Sequence, residues 1–383
     1  MPSARRVSIG PVAVVCGVLT ALTGCAASTE EPTAEVATVV AAEGWVGHVQ
    51  ALTTAGASPV AQVGDVVADP AGCLTVVGTD HRGQSQVGKV WTAARDCAQF
   101  SGQWQATTDM DPGTSLADVI ALDDGTLLAV GNGLDKTDKQ TAGLVAHRDG
   151  DGRWKVTARL ARDGSSQAAL AISPAGEGLV ILGARDGAAA AWLAGDAGEA
   201  WRPVDMPSPR GYDTTDARRV AAASDGTLVA AGHGTSASGG TALLLWRSTD
   251  DGETWEAASN GAVPGFRLTT LLAHPGGFLA LGSDESDATG RALSSTDGVE
   301  WTPVDPEGAG ALTAGVTTAA GDVVVTVESP TARDCPVTGL RWRDGDWSDY
   351  PMPCAAGGQA RGTVLADGRI AFLVGDELWI RDR

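Results

Sequence analysis

The 383-residue sequence predicts an all-β fold built from seven similar repeats. A short apolar strand running into a Gly recurs along the chain, and Asp-Gly turns introduce several copies. Tryptophans that follow polar turns form a second series, spaced 46 to 54 residues apart. Because both series cover the chain from residue 44 onward, we predict one repeat domain over residues 44–383 rather than two ordinary domains.

The apolar strand has seven copies, each interpreted as the second strand of a four-stranded antiparallel unit. They are Cys73–Gly78, Thr126–Gly131, Leu179–Gly183, Thr227–Gly232, Phe278–Gly282, Val323–Val327 and Ile370–Gly375. Three are introduced by the pairs Asp124-Gly125, Asp225-Gly226 and Asp367-Gly368, which predict type I′ hairpin turns. Seven such units in a ring form a single seven-bladed β-propeller.

The tryptophans predict how the ring closes. The series that follows polar turns comprises Trp104, Trp154, Trp201, Trp255, Trp301 and Trp347. Trp45 has similar surroundings but no unit of its own, while the last repeat ends after Trp379 without a fourth strand. We therefore expect the strand at Trp45 to complete the last blade, which removes an exposed sheet edge. The remaining tryptophans are expected in third strands, packed between blades.

The stretch Ser248-Thr-Asp250-Asp-Gly252-Glu-Thr-Trp255 resembles the Asp-box of the sialidase and BNR-repeat families. The resemblance implies a β-hairpin turn between the third and outermost strands of a blade, with a structural role. A worn copy keeps Asp196, Gly198 and Trp201. Another, from Ser294 to Trp301, is interpreted as having Thr296 at the Asp position.

Blade number separates two related groups. The resemblance to sialidases implies six blades, an N-terminal Arg motif and a Tyr nucleophile, and this sequence has neither that blade number nor that motif. In blade number it is similar to photosystem II assembly-factor-like propellers, which bind other proteins without catalysis.

Residues 1–24 are predicted to be a lipoprotein signal peptide. Arg5 and Arg6 precede an apolar run, and the segment Leu22-Thr-Gly-Cys25 resembles the bacterial lipobox, which implies a lipid on Cys25. An ordinary cleaved signal with an unmodified Cys25 is the alternative, and the export route, Sec or twin-arginine, stays open. Residues 25–43 are predicted to be a flexible acidic tether. These features place the protein on the outer side of a bacterial cell membrane.

The net charge of the mature chain limits the kinds of partner that it can bind. Removing residues 1–24 leaves 25 basic and 47 acidic residues, a net charge of 25 − 47 = −22. Such a surface repels phosphate backbones and anionic lipid headgroups, so we predict no nucleic-acid partner and membrane contact through the lipid alone. We also expect a monomer without a cofactor.

Four cysteines remain beyond the signal. Their even number in an exported chain predicts disulfides, with Cys73 paired to Cys97 and Cys335 to Cys354, since each pair falls within one repeat. Metal binding is the competing interpretation, but no Cys-x-x-Cys spacing occurs and the histidines are scattered, so no metal site is predicted.

One set of residues is a candidate ligand site. Counting back from the second strands puts Arg218, Arg267 and Arg361 at equivalent entries to the innermost strands, with Tyr212 in the longest nearby loop. Three guanidinium groups around a channel mouth could bind an acidic ligand. The alternative is that each pairs with a loop carboxylate such as Asp213 or Asp216.

The function predicted from these features is non-catalytic. No assembled catalytic motif occurs, so no catalytic residue is assigned, and we expect a binding or scaffold propeller that recognises a protein or a glycan through its inter-blade loops. A divergent sialidase-like exo-glycosidase is the alternative function. An extracytoplasmic sensor subunit is a third.

Overall fold

The computed structural model describes residues 37–41, 44–49, 61–82, 85–93, 104–134, 140–148, 152–160, 165–195, 200–329, 331–332, 335–355 and 357–381. Within these ranges every regular element is a β-strand, and the strands form seven antiparallel sheets. The sheets stand side by side in a ring, so the predicted all-β, seven-bladed propeller is confirmed. A search of the same ranges for an apolar helix long enough to cross a bilayer finds none.

Each blade uses four strands in sequence order, counted from the ring axis outward. Blade 1 contains β3 (Gln62–Ala68), β4 (Leu74–Arg82), β5 (Ser85–Ala93) and β6 (Trp104–Pro112). Blade 2 contains β7 (Ser115–Ala121), β8 (Leu127–Leu134), β9 (Thr141–Arg148) and β10 (Trp154–Arg159). Blade 3 contains β11 (Gln167–Ala175), β12 (Gly178–Arg185), β13 (Ala188–Ala194) and β14 (Arg202–Asp205).

The following three blades repeat this order. Blade 4 contains β15 (Thr214–Ala222), β16 (Leu228–Thr235), β17 (Thr241–Ser248) and β18 (Glu256–Pro264). Blade 5 contains β19 (Phe266–His274), β20 (Gly277–Asp284), β21 (Gly290–Ser295) and β22 (Thr302–Pro303). Blade 6 contains β23 (Ala311–Thr317), β24 (Val323–Glu328), β25 (Val337–Arg343) and β26 (Asp346–Tyr350).

Blade 7 combines distant parts of the chain. Its inner strands are β27 (Ala360–Val364), β28 (Ile370–Val374) and β29 (Glu377–Arg381), and β2 (Trp45–Val49) pairs antiparallel with β29 as predicted. A further strand, β1 (Ala37–Ala41), pairs with β2, which makes this sheet five-stranded. Residues 37–41 therefore form a strand where the sequence predicted the end of a flexible tether. Residues 1–36 lie outside the described ranges.

Large apolar side chains fill the space between adjacent blades. The tryptophans predicted in third strands are all found there, and Trp91, Trp192 and Trp246 are almost completely buried. The Trp246 indole N–H also donates a hydrogen bond to the Pro207 carbonyl oxygen at 2.8 Å. Burial of such large apolar groups on both faces of each sheet supplies the main stabilisation of the ring.

The Asp-Gly turns differ from the predicted type. At Asp124-Gly125 only the Gly has a positive φ, 86°, and the Gly125 N–H donates to the Leu122 carbonyl oxygen. This is a type I turn followed by a left-handed Gly, so the type I′ prediction is wrong here. The Asp124 carboxylate accepts the Thr126 N–H, which supports the ordinary backbone conformation. Both residues have positive φ at Asp186-Gly187 and Asp344-Gly345, in two-residue hairpin loops.

Candidate functional site in the axial cavity

The seven innermost strands surround an axial cavity of about 310 Å³. Six of them, β3, β7, β11, β15, β19 and β23, carry a β-bulge near their start, whereas β27 pairs with β28 without one. Past the bulge, one residue from each strand stands at the same register position against the second strand. We call this set the ring layer: Asp65, Asp118, Ala171, Arg219, Thr270, Ala314 and Arg361.

The ring layer brings four charged side chains to one cavity, because Asp65, Asp118, Arg219 and Arg361 all contribute to its wall. The two aspartates lie in adjacent blades 1 and 2, and Arg361 lies next to them in blade 7. Arg219 approaches from blade 4. The described wall of the axial cavity therefore carries two acidic and two basic side chains.

The two carboxyl groups differ in their surroundings. Asp118 accepts hydrogen bonds from two backbone N–H groups, that of Val119 at 2.9 Å and that of Ile172 in the next blade at 2.8 Å. Burial raises the pKa of Asp65 well above its ordinary value, and the charge and hydrogen bond of Asp118 raise it further. These surroundings therefore favour the protonated form of Asp65.

The two arginines bond to backbone carbonyl oxygens. Arg361 donates from Nε to Gly64 of blade 1 at 2.5 Å and from Nη1 to Ala360 at 2.7 Å. Arg219 donates from Nε to Thr269 of blade 5 at 3.1 Å and from Nη1 to Arg218 at 2.9 Å. Burial lowers the pKa of Arg361 to about 10, and the positive charge of Arg219 lowers it too. Arg361 still carries its charge at neutral pH.

The three arginines predicted at equivalent strand entries occupy different register positions. Arg218 is the extra residue of the bulge in β15 and makes two 2.7 Å hydrogen bonds to the Asp216 carboxylate. Arg267 is exposed and pairs with Ser283, a register position that corresponds to Asp216 in blade 4. Only Arg361 lies in the ring layer, so the predicted equivalence of the three is wrong.

Tyr212 also lies apart from the axis. Its ring packs on the apolar cluster between blades 3 and 4, close to Gly234. A side chain at Gly234 would collide with this ring, so the pair forms a packing contact. Tyr212 is not among the residues that line the axial cavity.

Sequence counting missed Asp65, Asp118 and Arg219. Bulges add one residue to six of the innermost strands, so residues counted along the chain do not correspond across blades. A usable signal was the charge itself. A charged residue stands at the same place in four strands whose neighbouring positions are mostly apolar or small.

The stretch from Ser248 to Trp255 in blade 4 forms a tight polar turn. Ser248 Oγ donates to Asp250 Oδ1 at 2.8 Å and accepts the Gly252 N–H at 2.9 Å. Asp250 also accepts the Thr254 N–H at 2.9 Å and the Thr254 hydroxyl at 2.6 Å. Burial alone would raise the pKa of Asp250, but these hydrogen bonds lower it overall. Trp255 is buried directly before β18.

A second turn in blade 5 is built on a similar combination of Ser, Asp and Gly. Ser295 Oγ accepts the Gly298 N–H at 2.8 Å and donates to Asp297, which accepts the Val299 N–H at 2.8 Å. The turn is one residue shorter than that of blade 4, so Asp297 takes the role that the sequence alignment gave to Thr296. The interpretation that this copy has lost its Asp is wrong. In the worn copy of blade 3, Asp196 and Gly198 lie outside the described ranges, and Trp201 is half-buried.

The described cysteines are disulfide-bonded. Cys335 and Cys354 form a disulfide, the pairing expected from their spacing. Cys73 also takes part in a disulfide, while its predicted partner Cys97 lies outside the described ranges. Cys25 lies outside them as well, so its lipidation stays a prediction.

A second concave feature lies on the outer part of blade 6. It is a cleft of about 820 Å³, bordered by the loops β22–β23, β24–β25 and β26–β27 and by strands β25 and β26. Trp347, Tyr350 and Met352 supply its large apolar groups. The Trp347 indole N–H donates to the Val304 carbonyl oxygen at 2.6 Å, and the Arg381 guanidinium stacks 5.3 Å from the Tyr350 ring centroid. These contacts hold the aromatic rings in fixed orientations.

The fold and its cavity define a seven-bladed β-propeller with a charged axial cavity. No family model matches the chain, and no curated protein matches it. A streptogramin B lyase structure is similar at a TM-score of 0.59 and 13% identity, over 88% of this chain and 97% of the lyase.

Two further solved structures share the fold. A Hadza microbial sialidase is similar at a TM-score of 0.51 and 16% identity, over 88% of this chain and 68% of the sialidase. A Dyadobacter fermentans protein of unknown function is similar at a TM-score of 0.50 and 12% identity, over 85% of this chain and 96% of that protein. At these identities the similarity establishes the propeller fold alone.

Proposed function

We propose that the protein is a non-catalytic recognition propeller that binds a protein or a glycan with the face formed by its inter-blade loops. The observation that carries this proposal is the blade 6 cleft, which combines volume with fixed Trp347 and Tyr350 rings and a flexible Met352 side chain. Aromatic residues and Met are enriched where proteins contact their partners, and rigid rings lose little entropy on binding. Exposed polar groups on its wall, among them Ser348 and Asp349, would orient the ligand.

A screen with a matched pair of variants tests this proposal. Asp349→Lys changes an exposed carboxylate on the cleft wall, and Asp346→Lys makes the same charge change on the same strand outside the cleft. The protein would be tested on a glycan array and by cross-linking to envelope proteins from a bacterial host. We expect a ligand whose binding Asp349→Lys weakens and Asp346→Lys leaves unchanged. Equal effects of the two variants would remove the cleft from the proposal.

The proposal includes attachment to the outer side of a bacterial membrane through a lipid on Cys25. The support is the Leu22-Thr-Gly-Cys25 stretch behind an apolar run, together with the acidic residues that follow it. Labelled palmitate should be incorporated by the wild-type chain expressed in a bacterium and not by Cys25→Ser. Incorporation into both chains would contradict lipidation at Cys25.

One observation favours the second function, a glycosidase. Burial raises the pKa of Asp65, as it does for the general acid of a glycosidase, and a second carboxyl group, Asp118, lines the same cavity. Fluorogenic glycosides would report turnover by the wild-type protein, and Asp118→Asn should abolish it. Turnover that survives Asp118→Asn would exclude the axial pair as the catalytic site.

A further inference from the structure

The axial cavity holds two guanidinium groups whose charges are not neutralised by an ion pair. Among the described residues, neither Arg219 nor Arg361 has a carboxylate oxygen within 4.0 Å of its nitrogens, whereas Arg218 beside them is paired with Asp216. The charge of Arg219 is close enough to lower the pKa of Arg361, although it counts for less than burial does. Asp65 and Asp118 act on Arg361 in the opposite sense, but no described carboxylate lies within ion-pair distance, so an anion between the two arginines would offset more of their repulsion.

We propose that the axial cavity binds one small tetrahedral oxyanion, of the phosphate or sulfate type, between Arg219 and Arg361. This inference concerns a different site from the blade 6 cleft and does not depend on the proposed function.

The first argument is the number of donors. A guanidinium carries five N–H donors. Each of the two arginines uses its Nε and one Nη1 N–H on backbone carbonyl oxygens, and no described acceptor bonds to Nη2 of either one. Their hydrogen bonds to the backbone also fix both planes in place. The remaining donors form a preorganised site for an acceptor with several oxygens.

The second argument is the charge balance of the cavity wall. The Asp118 oxygens accept the Val119 and Ile172 N–H groups and form no hydrogen bond to either guanidinium, although the Asp118 charge still acts on Arg361. Burial favours the protonated form of Asp65. With that proton in place, the four charged positions of the ring layer sum to one positive charge, in a protein whose formal net charge is −20. The cavity is thus a local positive region within an acidic molecule.

Size and geometry select the class of anion. A cavity of about 310 Å³ is at the lower end of ligand pockets and suits an ion or a small headgroup. A carboxylate offers two oxygens in one plane, which one guanidinium can satisfy alone. Two guanidinium groups from blades 4 and 7 approach from different directions, which matches the four oxygens of a tetrahedral ion.

Calorimetric titration of the protein with inorganic phosphate tests the proposal, with sodium chloride matched for ionic strength and with acetate as the planar anion. We expect saturable phosphate binding by the wild-type protein and binding at least about tenfold weaker in Arg219→Gln. Arg218→Gln is the matched control, because this neighbouring arginine is paired with Asp216 and does not line the cavity. It should bind phosphate like the wild type.

Several outcomes would overturn the proposal. They are no phosphate binding above the chloride control, equal affinity in Arg219→Gln and the wild type, equal weakening in Arg218→Gln, or acetate binding as tight as phosphate. Arg361→Gln also removes the bond to Gly64 and could prevent folding, so Arg361→Lys is the second variant. This variant keeps the positive charge but lacks the planar set of N–H donors of a guanidinium, so we expect its phosphate affinity to lie between those of the wild type and Arg219→Gln. Titration with glycerol phosphate distinguishes a phosphate headgroup from free phosphate as the ligand. A headgroup can bind only if the cavity has an open mouth, so binding of glycerol phosphate would indicate a headgroup.

Discussion

Blade 4 and the closure region, meaning blade 7 with its junction to blade 1, are held together at very different distances along the chain. In blade 4 the strands are consecutive, and the outer turn satisfies its polar groups within four residues of Ser248 or Asp250. In the closure region the Trp45 indole bonds to Pro351, 306 residues away, and Arg361 bonds to Gly64, 297 residues away. The turn stabilises one hairpin, whereas the closure contacts stabilise the ring as a whole.

The pKa of an Asp is shifted in opposite directions in these two regions. Asp250 stands at the surface among donors that lower its pKa, while Asp65 lies in the axial cavity where burial and Asp118 raise its pKa. A carboxylate that is fully hydrogen-bonded at the surface fits a structural role. A buried carboxyl with a strongly perturbed pKa is more typical of a functional site.

The largest predicted effect is at ring closure. Trp45 is completely buried against Phe372, and its indole N–H bonds to Pro351. Trp45→Ala should lower the free energy of unfolding by about 3–5 kcal/mol, because it leaves a cavity and weakens the pairing of β2 with β29. Urea denaturation measures this loss. The half-buried Trp201 is the control, and Trp201→Ala should cost clearly less. Equal losses would mean that closure is no more important than any other blade contact.

The blade 4 turn should contribute less than closure. Asp250→Ala removes acceptors for the Thr254 N–H, the Thr254 hydroxyl and the Ser248 hydroxyl. Because the turn is at the surface and water can replace these bonds, we expect a loss of about 1–2 kcal/mol. Thr249→Ala, an exposed change in the same turn, should stay within about 0.5 kcal/mol of the wild type. A loss for Asp250→Ala as large as that for Trp45→Ala would contradict the comparison drawn above.

The pH dependence of stability should differ in sign between the two aspartates. The raised pKa of Asp65 means that the folded state binds its proton more tightly than the unfolded state does. Its contribution is therefore lost as the pH rises from about 4 through the folded-state pKa. Asp65→Asn removes this loss and should gain stability relative to the wild type between pH 4 and pH 7.

The contribution of Asp250 to stability is expected to change with pH in the opposite direction. Its lowered pKa contributes stability above the ordinary Asp pKa, and that contribution is lost as the pH falls through the folded-state value. Asp250→Asn should therefore lose stability relative to the wild type between pH 4 and pH 7. Denaturation curves of the three proteins at both pH values measure the two trends. The same sign for both variants would show that Asp65 is not held in its protonated form.

The sequence was sufficient for the architecture because its signals are local and repeated. Strand pattern, turn residues and tryptophan spacing each recur within a blade, so errors in one copy are corrected by the others. Closure by Trp45 could also be predicted, because an unmatched strand at one end corresponds to a missing strand at the other. The β1 strand was missed because Ala37 to Ala41 carries little beyond small and β-branched residues next to acidic ones.

The axial site could not be predicted in the same way, because its residues come from blades 1, 2, 4 and 7. Their alignment depends on bulges that change the residue count by one. Because the sequence analysis did not include the bulge in β15, it predicted Arg218 where Arg219 lines the cavity. A similar change of one residue in turn length hid the role of Asp297 in blade 5. A pattern within one hairpin can still be recognised after a shift of one residue. A site whose residues come from several blades cannot, because the residues no longer align.

The smallest predicted effect is at the surface between blades 3 and 4. Arg202 at the start of β14 and Glu253 in the blade 4 turn form an ion pair of 2.6 Å in which both side chains are more than half exposed. Water and salt screen such a pair, so Arg202→Gln should change the free energy of unfolding by about 0.5 kcal/mol or less, and even less in high salt. Urea denaturation at low and high sodium chloride measures both values. A cost above about 1 kcal/mol that persists in high salt would mean that the blade 4 turn stabilises the ring through its neighbour, as the closure contacts do, and not only its own hairpin.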